Sequence, residues 1–230
     1  MAAQAWSQKI CFTHGRPERN YRGHINDQEA IRRHITPQPL TVGRRDYSTF
    51  TGALTDARHA TGRDLLTGQT VRAASPGYWL GSIGYMVLLE QIGKCFRPAG
   101  ARSTDSRAFV RALELFTDLL SDERLALYAL RCCFAHEFRV LNVNTDKPGL
   151  THSFRLTEGD GPVVRLANPP WSGDFSEESI RETVGDLRAF GDMVERIVAE
   201  LHRLNDRDEL RVTLKDGAAG LRLYALSAWS

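Results

Sequence analysis

Cysteine is scarce in this chain, with four in 230 residues. Cys11, Cys95, Cys132 and Cys133 are irregularly spaced, which is not the framework of a disulfide-stapled scaffold. Uncharged apolar runs of membrane length are missing too. The longest apolar stretch, Gly77 to Phe96, is interrupted by Glu90, Gln91 and Lys94 and reads as a buried helix rather than a span. The opening residues M-A-A-Q-A-W-S-Q-K-I lack the apolar core of a signal peptide, so the expectation is a cytoplasmic protein with no membrane partner. Charge of one sign is also lacking: 30 Lys and Arg face 28 Asp and Glu, a net +2 that permits nucleic acid without demanding it. There is no internal repeat, no low-complexity tract and no glycine-rich phosphate loop, which removes the common nucleotide-binding motifs.

The chain does have an ordinary globular composition, 42% hydrophobic, enough for a sizeable core. Its length suits one domain with an appendage. We expect a mainly α protein, a helical bundle with an inserted β-hairpin. Residues 1–75 form a basic N-terminal extension with short helices, 76–206 the helical body with the hairpin at about 140–167, and 207–230 a C-terminal tail. In the extension, Phe12, His14, Tyr21 and His24 are interleaved with arginines, a composition that suits single-stranded nucleic acid, the alternative being a solvated arm or a segment packed along the bundle surface. Asn26-Asp27-Gln28-Glu29 opens a short helix that ends before Pro37. A second helix is expected over Tyr47 to Leu66.

The first strong helix runs from Gly77 to Phe96. It is apolar nearly all round, so it belongs at the centre, with Gly81 and Gly84 allowing close approach by another helix or a symmetry mate. Another helix follows from Ser103 or Thr104 to Leu120. After Phe138 the period changes to two: Val140, Asn142 and Asn144, then Leu150, His152, Phe154 and Leu156. Glu158-Gly159-Asp160-Gly161 reads as the turn of a hairpin returning through Val163 to Leu166. Ser176-Glu177-Glu178 then opens a long last helix to about Asn205. The tail offers a hairpin around Lys215-Asp216-Gly217 or a short helix.

Ser121 to Phe138 carries the chemistry. Ser121 can cap the helix, and Asp122 and Glu123 suit its positive end. Arg131 and His136 lie on it with four residues between them, about 140° apart around a straight helix. Imidazole moves protons near neutral pH, and a guanidinium forks onto phosphate oxygens. Together they suit phosphodiester cleavage without a metal, provided that the helix unwinds or that two copies meet. The structural alternative is a salt-bridged arginine and a histidine placed favourably at a helix C-terminus. Cys132 with His136 could also be a thiol and its base, or join Cys11 and His14 as zinc ligands. No oxyanion donor supports the first, and nothing in the sequence brings the pairs of the second together. Cysteines buried as small apolar residues are the simpler account.

The run Arg131-Cys132-Cys133-Phe134-Ala135-His136 resembles the R-x(4–6)-H motif of the HEPN superfamily, small helical domains that include many metal-independent ribonucleases of defence and toxin–antitoxin systems. The resemblance covers Pro76 to about Asp206. It implies a homodimer with a composite site, and attack of an RNA 2′-hydroxyl on its neighbouring phosphate. His136 would transfer the proton and Arg131 would hold the phosphate. The family commonly has a polar residue after the arginine, where this chain has Cys132. Cys132, Asn142, Asn144 and His152 are the candidate substrate contacts, RNA and a regulatory or antitoxin protein the implied partners, and no cofactor or metal is expected. The alternative is a non-catalytic module of the same kind that binds RNA, a nucleotide or a protein.

Overall fold

Segments patterned with apolar residues account for the helices, and two of them start on a side-chain cap. A computed structural model of the chain describes residues 27–37, 45–71, 77–137, 139–144 and 146–228, leaving out the side chains of 45–47, 135–137 and 226–228. Helix α1 is Asp27–Ile35, with Ile31 and Ile35 buried. Strand β1 (Arg45–Ser48) leads into α2 (Thr49–Ala60), capped by the Ser48 hydroxyl, which accepts from the Thr51 N–H at 3.0 Å. Helix α3 (Tyr78–Cys95) is the axis of the molecule and packs against α2, α4, α5 and α6. Its glycines do what the sequence suggests for a neighbouring helix: a Cβ on Gly81 would strike Thr61, and one on Gly84 would press on Ala57 of α2. Helix α4 is Ala108–Phe116, and α5 is Ser121–Glu137. The start of α5 is held differently from expectation. Ser121 is the first helical residue, and the Glu123 carboxylate reaches back to accept the Leu120 N–H at 2.7 Å.

The expected fold class, a helical bundle with one inserted hairpin, is overturned by the sheet. Strands β3 (Leu141–Asn142), β4 (His152–Thr157), β5 (Val164–Arg165) and β6 (Glu182–Asp186) form a four-stranded mixed sheet in the order β3-β4-β6-β5. β4 and β6 are parallel, with Phe154 opposite Thr183 and Leu156 opposite Gly185. β5 therefore pairs with β6, not with β4, and the Glu158–Gly161 turn does not close a hairpin. Two further antiparallel ribbons join distant parts of the chain: β2 (Phe96–Pro98) with β7 (Leu210–Val212), and β1 with β8 (Ala225–Ala228). The protein is mixed α and β.

The last helix is corrected as well. Residues 182–186 are strand, and α6 is Leu187–Asp206. Asp186 caps it, accepting the Ala189 N–H at 2.8 Å. The same carboxylate accepts the Thr157 hydroxyl at 2.9 Å and the Gly159 N–H at 2.7 Å, tying the turn after β4 to the start of α6. A 3-10 helix at Gly217–Tyr224 takes the place of the tail hairpin. Ile31, Ile35, Phe50 and Leu54 share one core with α3, α5 and α6, so α1 and α2 belong to the body rather than to an arm. No helix among the described residues is long and apolar enough to cross a membrane.

Candidate functional site

Arg131 leaves the core side of α5 and reaches toward α3, where its Nη2 lies 3.5 Å from Glu90 Oε2. Both side chains are partly exposed, 24% and 35%, because they stand on the wall of a cleft of about 350 Å³. That volume falls at the small end of ligand sites. Met86 and Val87 of α3 give the cleft an apolar side. Lys94, one turn beyond Glu90, adds a second cation at the exposed end of the helix. Tyr224 closes it from the C-terminal 3-10 helix, its phenol raised first by burial and then by the neighbouring Cys95. Thr49, at the start of α2, and Gln91 complete the lining.

At the back of the cleft stands a polar triad. Gln91 Nε2 is 3.0 Å from Thr49 Oγ1 and 3.2 Å from His34 Nε2. His34 is 5% exposed, and burial pushes its imidazole down to about 4, so the ring is neutral at physiological pH. As an acceptor from the Gln91 amide, Nε2 is the unprotonated nitrogen. The ring is hemmed in by Phe50 and Phe96, each at 5.9 Å between centroids, and by the edge of Tyr224 at 6.1 Å.

The other sequence candidates fall elsewhere. The backbone of His136 continues α5, but its side chain lies outside the described residues, as do Cys11 and His14. Cys132 lies beside Tyr128, whose phenol is raised by burial first and then by Cys132; Arg107 stacks over that ring at 5.0 Å. Cys132 does not line the Arg131 cleft, and neither do Asn142, Asn144 or His152. Asn142 donates through Nδ2 to the Leu150 carbonyl, and Asn144 Oδ1 accepts the Lys147 N–H at 2.9 Å. His152 Nε2 is 3.2 Å from the Gly149 carbonyl and Nδ1 3.0 Å from the Thr183 hydroxyl. A carbonyl only accepts, so Nε2 carries the proton and Nδ1 accepts from Thr183. Burial lowers the pKa of His152, and the three residues hold β3, β4 and their connection together. Cys95 and Cys133 are buried thiols, pushed up by burial to about 11 and about 12.

Most of the cleft was visible in the sequence only indirectly. Glu90, Gln91 and Lys94 are the polar interruptions that exclude a membrane span from the Gly77–Phe96 run. Thr49 and Tyr224, which line the cleft, and His34 behind it carried no signal, because each comes from a distant segment. A second charged cluster also went unread. Glu195 of α6 accepts from Arg58 at 2.7 Å and from the Tyr85 hydroxyl at 2.8 Å, and Asp192 pairs with Arg63 at 2.7 Å. Arg58 also donates to the Leu65 and Leu66 carbonyls, and Arg63 to that of Gly68, so this network fixes the loop after α2.

No family model, no curated protein and no solved structure matches the chain.

Proposed function

We propose that the α3–α5 cleft is where this protein engages RNA, and that the RNA is cut there without a metal in the manner the HEPN-like motif implies. The carrying observation is that Arg131, five residues before His136 on one unbroken helix, stands on the wall of a ligand-sized cleft that also offers Lys94. A phosphate entering the cleft would compete with Glu90 for the guanidinium and gain a second cation at the rim. In the reaction the RNA 2′-hydroxyl attacks the adjacent phosphorus and gives its proton to His136. Arg131 holds the extra negative charge, and the P–O5′ bond breaks to leave a 2′,3′-cyclic phosphate and a protonated 5′-hydroxyl. Because the unbroken helix sets Arg131 and His136 about 140° apart, a second copy of α5 across a two-fold axis would bring a His136 to this phosphate, and the imidazoles of the two copies would take and return the proton.

A specific observation favours a second reading, binding without cleavage. Glu90 already answers the charge of Arg131, and Cys132, in the slot the family commonly fills with a polar residue, is turned to Tyr128. One experiment separates the two. Labelled single-stranded RNA is incubated in EDTA with the wild type, His136→Ala and Arg131→Ala. Cleavage that falls at least about 100-fold in His136→Ala, with cyclic phosphate ends, supports the nuclease. Binding without cutting that is lost in Arg131→Ala supports the module. Neither binding nor cutting by the wild type overturns both.

A further inference from the structure

The β2–β7 ribbon holds two like charges side by side. Arg97 stands directly opposite Arg211. Phe96 and Leu210 are buried on the inner face, so the alternation of a strand turns both arginines outward. Directly opposite residues have α-carbons roughly 5 Å apart, and like charges at such positions destabilise the pair. Neither guanidinium is strongly neutralised. Arg97 donates through Nη1 to the Ala101 carbonyl at 3.1 Å, and among the described residues no carboxylate pairs with it. Arg211 reaches Asp208 at 3.2 Å, but both side chains are exposed, 44% and 66%, so solvent weakens the attraction. Glu209 continues the ribbon opposite Ala99 on the same face, yet among the described residues it pairs with neither arginine.

The ribbon begins where the cleft ends. Arg97 is three residues past Lys94, a reach of at most about 10 Å along the chain. Thr213, two residues beyond Arg211 on the same face, donates its hydroxyl to the Lys94 carbonyl at 2.6 Å. Resting on the RNA reading, we propose that the outward face of this ribbon is a second phosphate clamp, in which Arg97 and Arg211 hold between them a phosphate of the strand whose scissile phosphate lies at Arg131. A phosphate between two guanidiniums replaces their repulsion with two attractions, and each fork can take two of its oxygens. Contacts of this kind position a strand and read no base. The ligand class is therefore a single-stranded RNA long enough to pass both places, bound there without sequence preference.

The test uses the full-length protein and labelled 2′-O-methyl oligo(U), which lacks the attacking hydroxyl. Affinity is read by fluorescence anisotropy from about 50 to about 200 mM salt, where its logarithm falls linearly with that of the salt concentration. The double variant Arg97→Gln/Arg211→Gln should bind more weakly, with a slope shallower by about 0.7, the value for one phosphate of a single strand. Arg97→Lys/Arg211→Lys, which keeps both charges, should restore the wild-type slope, and a folding defect in the first variant would not be mended in this way. A slope unchanged in the glutamine variant, or reduced alike in the glutamine and lysine variants, overturns the clamp and leaves the RNA reading standing. No binding by the wild type overturns both.

Discussion

A neutral imidazole orients the amide at the back of the cleft, and its neutrality makes stability depend on pH. Burial holds His34 near 4 in the folded chain, against an ordinary value of 6.5. As pH falls, the unfolded chain takes up this proton first. The contribution of His34 to stability is therefore complete above pH 6.5, declines as pH drops from there to 4, and levels off below. The shift corresponds to about 3 kcal/mol. Urea denaturation across this range should show His34→Leu with a flatter profile than the wild type by about that amount, whatever the variant's stability at neutral pH. An unchanged slope would mean that His34 is not shielded. At this scale the sequence marked Arg131 and the polar breaks in α3. It held no hint that a histidine 57 positions before Gln91 would partner that amide.

Between strand and helix, Asp186 carries three hydrogen bonds where a simple cap carries one. Asp186→Ala removes the cap of α6 and leaves the Thr157 hydroxyl and the Gly159 N–H without their partner. The expected loss is about 2 kcal/mol, the upper end for a single cap, read as a lower urea midpoint with an unchanged m-value. The residues around it explain the misplaced helix start. Ile180, Val184 and Leu187 continue the spacing of Phe190, Val194, Ile197 and Leu201, so the apolar stripe runs on past the true boundary. Gly185, poor in a helix, sits where Leu156 and Leu130 come within 3.5 Å of a Cβ built on it, and Ile180 is 77% exposed. The Glu158–Gly161 turn misled in the same way: its residues favour reversal, but the strand that follows pairs with β6.

Across the whole molecule, α2, α3 and α6 are joined by the buried Arg58–Glu195 pair and the Tyr85 hydroxyl. The arginine side chain is 4% exposed and the glutamate 12%. Removing one partner strands a charge in the interior, so Glu195→Ala should cost about 3–5 kcal/mol by chemical denaturation. The double variant Arg58→Met/Glu195→Leu, which removes both charges and keeps the volume, should be the more stable of the two. Additive losses in the cycle made of Arg58→Met, Glu195→Leu and their double variant would contradict a buried, coupled pair. The ribbons β1–β8 and β2–β7 work at the same scale, tying residues 45–48 to 225–228 and 96–98 to 210–212, so neither end of the described chain stands apart from the core.

Helices α1, α3 and α5 were legible to within a residue or two, because a 3.6-residue apolar period and the breaks that end it are local properties of the chain. So was Arg131 as a residue needing a reason to be where it is. Strand partners, the parallel β4–β6 pair that makes the fold mixed, and the gathering of His34, Thr49, Gln91 and Tyr224 behind Arg131 came only with the folded chain. Backbone hydrogen-bond donors are alike along every strand, and which one finds which acceptor depends on where distant segments are brought together by the core they share.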